Sequence, residues 1–337
     1  MTTRRKFVAG ALAGTVLGTP FAKPLGMIGR AKAQSGIQIR ISTAAPPSDF
    51  LNKALDQLKA DVDAAGVGLD VSVHPASTLF KQGTEVPAIQ RGNLEMSTMN
   101  TFEVAQQIPE LGYFDRGYLM RDYDHLRRVF DGPIGEDYRK AVSAKMGINI
   151  LATHYLGTRQ VNLRQKRAVK TPADLAGVKM RMAAGPEWLL LGRALGVTAV
   201  PLGMPEVYLA LKTGTMDGQE NPLSILNAAK FYEVTEQVVL TAHMIQPVFF
   251  ALAQPVWDKL DAAQKKALGD AAQKTAKSGS EARLADETAI VAALKTRGLS
   301  VDTVDLTSFR DQADRVYGEA DLAKAWDQAG LQRVLKA

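Results

Sequence analysis

The residues best suited to hold a small anion are Arg181 and Asn221. Arg181 follows the alternating run 178–180 at the end of a predicted strand, and Asn221 lies near the end of the polar run 217–222. A guanidinium group presents a planar fork of donors that pairs bidentately with a carboxylate. Because ligands of open α/β sheets bind beyond the carboxyl ends of strands, we expect Arg181 to contact a carboxylate. The alternatives are a surface position or salt bridge for Arg181 and a helix N-cap before Pro222 for Asn221.

Other side chains could line the same site. Arg159 lies in the run 157–160, just past the predicted crossing between two halves of the chain, where it either faces a cleft or is solvated. Trp188 begins the helix that follows the loop after Arg181. Large apolar residues pack in a core more often than they contact a ligand. On type and position alone, Trp188, Met204 and Phe102 are therefore secondary candidates.

The sequence carries no motif for catalysis, for a metal or for a nucleotide cofactor. Its four histidines form no H-E-x-x-H or other i,i+4 pair, and it has no cysteine. A G-x-S-x-G elbow, a P-loop and a glycine-rich dinucleotide turn are also missing. We therefore predict a protein that is not an enzyme and binds no metal or cofactor. If the chain had a catalytic site without a recognisable motif, His154 would be the candidate catalytic residue.

The composition is that of an ordinary soluble globular protein, with 46% apolar and 23% charged residues. The net charge of +6 comes entirely from residues 1–35, which hold six Lys or Arg and no Asp or Glu. The remaining chain carries 35 basic and 35 acidic residues. This balance argues against nucleic-acid binding, for which a basic patch is expected.

The first 33 residues are typical of a twin-arginine signal peptide. Arg4-Arg5 precedes a mildly apolar stretch over residues 8–17, and Ala31-Lys32-Ala33 fits an A-x-A cleavage site. The alternative is an uncleaved amphipathic anchor. No other segment approaches about 18 apolar residues, so we expect a mature chain that does not span the membrane. The predicted location is the periplasm, after export of the folded protein.

The pattern of elements predicts an α/β fold. Strands at 37–42, 69–74 and 94–99 alternate with helices, and the alternation restarts after Gly157 with strands at 158–163, 178–182 and 197–201. Separate strands are also expected at 149–154, 238–242 and 248–253. A helix over 261–296 is long enough to brace both halves, with a bend expected at Ser278-Gly279-Ser280.

These patterns predict two α/β lobes, an interlobe cleft and a long bracing helix. Residues 34–156 would form lobe I, to which about 247–285 return. Residues 157–246, with about 286–337, would form lobe II, and the tail is expected to pack back onto one lobe.

Several blocks, in order, resemble the DctP-type substrate-binding proteins of TRAP transporters. The run TPADLAGVKMR, ending at Arg181, is similar to the family's PADLKGLKIR; further matches are PEVYLALKTG (205–214), DGQENP (217–222), FYEV (231–234), GTRQ (157–160) and HPASTL (74–79). The resemblance covers essentially the whole mature chain. It implies two lobes that close on a ligand, a carboxylate clamp at Arg181, a ligand contact at Asn221 and a further cleft residue at Arg159.

The chain departs from the sialic-acid branch of that family. Ala184 stands where that branch has asparagine and Met204 where it has phenylalanine, and Asn100, Phe102 and Glu103 replace a charged pattern after the third strand. We therefore expect Asn100 and Phe102 to line the pocket. An apolar far end formed by Met204, Trp188 and Phe102 would suit an organic acid smaller or less polar than sialic acid.

The resemblance implies a periplasmic protein that captures an organic acid and delivers it to the small and large membrane subunits of a TRAP permease. A receptor that presents the loaded form to a sensor is the alternative. A periplasmic enzyme on the same scaffold is a further alternative.

Overall fold

The computed structural model describes residues 36–337, so the predicted signal peptide at 1–33 lies outside the described residues. In this part of the chain nine strands form one sheet: β1 (Ile37–Ser42), β2 (Leu69–His74), β3 (Met96–Asn100), β4 (Ile148–Leu163), β5 (Lys179–Met182), β6 (Thr198–Pro201), β7 (Gly218–Pro222), β8 (Gln237–Ala253) and β9 (Ser300–Thr303). The α-helices are α1 (Phe50–Ala65), α2 (Glu85–Gln90), α3 (Thr101–Ala105), α4 (Tyr123–Asp131), α5 (Pro133–Met146), α6 (Pro186–Leu195), α7 (Val207–Thr213), α8 (Leu223–Ala228), α9 (Gln254–Lys259), α10 (Ala262–Thr296), α11 (Leu306–Glu319), α12 (Asp321–Lys324) and α13 (Gln328–Lys336). The predicted α/β class is confirmed.

The sheet contains two parallel groups of strands joined by two long antiparallel strands. Its order is β2-β1-β3-β8-β4-β7-β5-β6, with β9 beside β8. Strands β1, β2 and β3 run parallel to one another, as do β5, β6 and β7. The link between the groups is the antiparallel pair β4 and β8, of 16 and 17 residues.

The expected breaks within β4 and β8 are wrong, because each segment is a single strand. The β4–β8 ladder shifts register at three points, between Ile150 and Ala152, Tyr155 and Gly157, and Arg159 and Val161. Such irregularities let a strand bend without ending. Gly157 has φ +121°, and a Cβ there would lie 2.6 Å from the Cβ of Pro222. The alternation of apolar and polar residues is interrupted at these irregularities, although the backbone pairing of the strands continues.

Strand β7 continues to the position at which a helix start was the alternative. It includes Asn221 and Pro222, and α8 begins at Leu223. Asn221 pairs with Gln160 of β4. Asn221 is therefore a sheet residue and not the N-cap of a helix.

The long helix α10 is confirmed at 35 residues, beginning after a capping box formed by Asp261 and Gln264. Residues 278–280 lie within this one continuous helix, and the bend expected there stays a prediction. Gly279 permits close packing: a Cβ there would lie 2.8 Å from Nε2 of His154 and 2.9 Å from Cβ of Ala54. The helix packs mainly on β4 and α1.

Alanine substitutions at two glycines of α10 should therefore change the free energy of unfolding in opposite directions. Gly269 has no atom within 4 Å of an added Cβ, so Gly269→Ala is expected to raise the free energy of unfolding by about 0.5–1 kcal/mol through its higher helix propensity. Gly279→Ala forces apart two packed elements and should lower it by about 1–3 kcal/mol. Urea denaturation of both variants measures the difference. Equal effects would contradict the packing account of Gly279.

The segment after β9 packs on helices that precede and follow β4 in the chain. Helix α11 packs on α6, and α13 packs on α5. Trp326, Leu331 and Val334 share a buried cluster with Phe130 of α4. The predicted lobe boundaries and the assignment of the tail to one lobe both stay predictions. Among residues 36–337 no helix has both the length and the apolar character needed to cross a membrane.

Candidate functional site

A cavity lies at the carboxyl ends of β1, β3 and β5, where ligands of open α/β sheets bind. It encloses about 650 Å³ of space outside protein atoms, part of it open to solvent. All of the residues predicted for the site line this cavity: Arg181, Asn221, Arg159, Trp188, Met204, Asn100 and Phe102. Their contact with a ligand stays a prediction.

Arg181 is a buried cation without a counterion. It is 2% exposed, and its Nε donates to the carbonyl of Leu202 at 2.7 Å while Nη2 donates to Oε1 of Gln82 at 3.2 Å. No carboxylate among the described residues forms a salt bridge with it. Burial lowers the pKa of Arg181 to about 10; the charge of Glu220 opposes this shift, and repulsion from Arg159 acts in the same direction as burial. The group remains charged at neutral pH, so an anion in the cavity would neutralise it.

Arg159 differs from Arg181 because Glu220 already neutralises it. Its Nε and Nη2 donate to the two carboxylate oxygens of Glu220 at 2.5 and 2.7 Å, and Nη1 donates to Gln246 at 2.7 Å. Its guanidinium carbon lies 4.8 Å from the ring centre of Trp188. Trp188 thus stacks on Arg159, and the two hold one another in place.

His243 completes the buried group around Glu220. Its Nε2 lies 3.0 Å from Glu220 and its Nδ1 lies 2.8 Å from the hydroxyl of Thr241. Burial lowers the pKa of His243, although the bond to Glu220 opposes this. Burial alone would raise the pKa of Glu220, but the charge of Arg159 and the bond to His243 lower it. Neutral His243 then donates to ionised Glu220. Both oxygens of Glu220 already bond Arg159, so Glu220 forms no direct ion pair with Arg181.

Asn221 is fixed by Gln219 of its own strand, β7, and by Arg159 of the neighbouring strand, β4. Its Oδ1 accepts from Nη2 of Arg159 at 3.0 Å, and its Nδ2 donates to Oε1 of Gln219 at 2.7 Å. The amide therefore has a defined orientation at the cavity wall. Its second Nδ2 hydrogen has no acceptor among the described residues.

The remaining predicted residues form one wall. Phe102 packs edge-to-face on Trp188, with ring centres 5.9 Å apart. The backbone N–H of Met204 donates to Oε1 of Gln82 at 2.9 Å. Asn100 donates from its backbone N and from Nδ2 to Oε2 of Glu103, at 2.8 and 3.1 Å. Gln82, which sequence reasoning missed, thus links the Met204 backbone to Arg181.

Two buried carboxyl groups also line the cavity, and the expectation of an apolar far end stays a prediction. Glu85 and Glu103 are 4% and 6% exposed. Burial, then the charge of Glu103, raises the pKa of Glu85 to about 8, and burial raises the pKa of Glu103 to about 7. Sequence reasoning missed Glu85 because an acidic residue in the first turn of a helix is ordinarily ascribed to the helix dipole.

Comparison with known proteins identifies the relatives of the chain. The family model for bacterial extracellular solute-binding protein, family 7 (DctP), matches residues 41–322. This chain belongs to that family. A solute-binding protein of Verminephrobacter eiseniae is 33% identical to the DctP-family chain over 309 residues, which cover 91% of this chain and 90% of the relative.

Two solved structures resemble the DctP-family chain along its length. A TRAP periplasmic solute-binding protein of Roseobacter denitrificans, with bound 3-deoxy-D-manno-oct-2-ulosonic acid (KDO), has a TM-score of 0.86 and 38% identity, covering 89% of this chain and 99% of that one. One from Polaromonas sp., bound to D-erythronate, has a TM-score of 0.83 and 29% identity, covering 89% and 98%. The resemblance to TRAP substrate-binding proteins and the two-lobe α/β fold are confirmed, and the family is extracytoplasmic.

The buried carboxyl groups make the stability of this DctP-family protein depend on pH. A carboxyl whose pKa is raised on folding stabilises the native state below its unfolded pKa, and that stability is lost as pH rises through the folded pKa. For Glu85 the window runs from its ordinary value of 4.5 to about 8. As the pH rises from 5 to 9, the wild type loses this stability and Glu85→Gln does not. The unfolding free energy of Glu85→Gln minus that of wild type should therefore increase by about 2–4 kcal/mol over this range. Parallel pH profiles from urea denaturation would contradict this.

Proposed function

We propose that this protein captures an organic acid by pairing the carboxylate with Arg181, and that it delivers the acid to a TRAP permease with a small and a large membrane subunit. In this proposal Arg181 donates a bidentate pair to the carboxylate, and the free Nδ2 hydrogen of Asn221 donates to the same group. Arg159 keeps Asn221 in place and neutralises Glu220. Trp188, Met204, Asn100 and Phe102 bound the space around the ligand.

The observation that carries the proposal is the uncompensated charge of Arg181. A buried cation is costly unless it is paired. Arg181 is 2% exposed and has only Leu202 and Gln82 as protein acceptors among the described residues. A ligand carboxylate would supply the missing charge, and a charge-assisted bond in a site that excludes water is stronger than one in solvent.

The ligands of solved relatives support an acid as the cargo. The Roseobacter denitrificans protein holds KDO and the Polaromonas protein holds D-erythronate. Both are carboxylic acids, and both proteins share the fold of this chain over 89% of its residues. We infer the same chemical class for the ligand of this chain.

Capture would proceed by closure of two lobes around the acid. We assign residues 34–156 and about 247–285 to lobe I, and residues 157–246 with about 286–337 to lobe II. Strands β4 and β8 would carry the hinge, because they join the two parallel strand groups. Closure would expel water from the cleft and strengthen the pairing at Arg181.

The chain would work outside the cytoplasm and would release its ligand unchanged. We infer export to the periplasm by the twin-arginine route through residues 1–33, and binding without turnover. Mass spectrometry of the acid after prolonged incubation should recover it unaltered. A new product would favour an enzyme instead.

A thermal-shift screen tests the proposed class. A ligand that binds only the native state raises the melting temperature by mass action. Mono- and dicarboxylic acids, sulfonates and aromatic acids would each be paired with the matching carboxamide or sulfonamide. We expect at least one carboxylic acid to raise the melting temperature while its amide does not. Equal shifts with acids and amides would contradict a carboxylate clamp.

A further inference from the structure

We propose that Glu85 and Glu103 form a second recognition point that binds hydroxyl groups of the ligand, so that the cargo is a hydroxylated carboxylic acid. This inference rests on the proposed function, because it assumes that the carboxylate occupies Arg181. It assigns a specificity role to two residues that the carboxylate clamp does not use.

Glu85 is a buried acceptor without a partner. It lines the cavity and is 4% exposed. Its Oε2 is buried and makes no hydrogen bond to any described residue. An unsatisfied buried polar group costs about 1–3 kcal/mol, so a ligand donor at this position would recover that cost.

Glu103 is held in place by Asn100 and keeps one oxygen available. Both bonds from Asn100, at 2.8 and 3.1 Å, go to Oε2. Oε1 accepts no hydrogen bond from the described residues, and Glu103 lines the same cavity as Glu85. Asn100 therefore fixes the orientation of the carboxyl group and leaves Oε1 for a ligand.

No protein cation balances these two groups. Neither Glu85 nor Glu103 forms a salt bridge with a Lys, Arg or His of the described chain. The charge of Glu103 raises the pKa of Glu85, which indicates that the two carboxyl groups interact. Donors from a ligand would bond the oxygens that the described residues leave unpaired, Oε2 of Glu85 and Oε1 of Glu103. Either hydroxyl groups or an ammonium group could supply those donors.

Unused donors in the same cavity favour hydroxyl groups. Gln82 has its Oε1 occupied, but its Nε2 donates to no described residue. The Thr43 hydroxyl accepts from Thr98 at 2.8 Å and from the Ala45 N–H at 3.2 Å, which leaves its own hydrogen to donate. An ammonium group can only donate, whereas a hydroxyl both donates and accepts. A wall with free acceptors and free donors is complementary to hydroxyl groups.

The test compares acids of equal length by isothermal titration calorimetry on the mature chain. The hydroxylated acids are D-erythronate, D-gluconate and KDO; their unsubstituted counterparts are butanoate, hexanoate and octanoate; and 6-aminohexanoate supplies an ammonium. We expect at least one hydroxylated acid to bind about 10- to 100-fold more tightly than its counterpart, because its hydroxyl group would satisfy a buried polar group that the protein leaves unpaired. Preference for the unsubstituted acid or for 6-aminohexanoate would overturn the proposal.

Substitutions at Glu85 test whether this residue causes the preference for hydroxylated acids. Glu85→Leu should weaken binding of the preferred hydroxylated acid at least about 10-fold and leave the unsubstituted counterpart unchanged or tighter. Glu85→Gln keeps an acceptor of similar shape and should lose less, and it remains testable if the leucine variant folds poorly. Glu281→Gln, an exposed acid on α10, is the matched control and should change nothing.

The outcomes separate this inference from the proposed function. If Glu85→Leu weakens both acids equally, or neither, the second recognition point is wrong although the clamp stands. If no acid binds the wild-type chain, or if Arg181 is dispensable for binding, the proposed function itself fails and the inference falls with it.

Discussion

Replacing Arg181 with alanine is expected to weaken binding of a carboxylic acid by about 30- to 4,000-fold. Truncating one member of a buried, hydrogen-bonded charge pair costs about 2–5 kcal/mol, since the other charge stays buried and unpaired. No neighbouring arginine can replace it, because Arg159 is committed to Glu220 through two bonds. Calorimetry with the acid identified in the thermal-shift screen measures the loss.

Two further variants show whether the loss of affinity comes from the bidentate geometry of the Arg181 guanidinium group. Arg181→Lys keeps the charge but not the bidentate geometry, so it should fall between wild type and alanine. Arg193→Ala removes an exposed arginine from the last turn of α6 and should leave affinity unchanged. Retention of wild-type affinity by Arg181→Ala would refute the clamp.

The second large effect is on stability, at Arg283 of α10. Arg283 is fully buried; its Nη2 lies 2.5 Å from Oδ1 of Asp49, and its Nη1 donates to the hydroxyl of Ser224. Asp49 also caps α1, and Ser224 lies in the first turn of α8. Removing Arg283 leaves Asp49 as an uncompensated buried charge. Arg283→Ala is therefore expected to lower the free energy of unfolding by about 3–5 kcal/mol.

The matched control for Arg283 is Lys277→Ala on the same helix. Lys277 is 62% exposed and pairs with Glu281 at 3.9 Å, an interaction worth about 0–1 kcal/mol. Adding Asp49→Asn to Arg283→Ala should recover part of the loss, because the amide keeps the helix cap without the charge. Urea denaturation of the four proteins forms the test. A loss below about 1 kcal/mol for Arg283→Ala would contradict the ion-pair account.

Much of the fold could be predicted because local patterns carry it. The helix predicted over 261–296 matches α10 (Ala262–Thr296) to within one residue at its start. Strands β1 and β2 followed from alternation alone. The continuity of β4 and β8 could not, because bulges and the buried polar residues His154 and Gln246 interrupt the pattern that alternation detects.

The candidate site also contains both residues that the sequence could predict and residues that it could not. Arg181 could be predicted, since a strand end and a charged residue are both visible in sequence. The pairing of Glu220 with Arg159 depends on the register of β4 against β7, which sequence spacing does not specify. Glu85 looked like an ordinary helix-start residue, and only the tertiary structure places it on the cavity with Glu103.

The most direct test of the central claim is a double-mutant cycle between Arg181 and the carboxylate of the ligand. Calorimetry would compare the best-binding acid with its carboxamide, in wild type and in Arg181→Ala. The account predicts that the acid binds wild type at least about ten times more tightly than the amide, and that this preference disappears in the variant. The same preference for the acid in both proteins would contradict it.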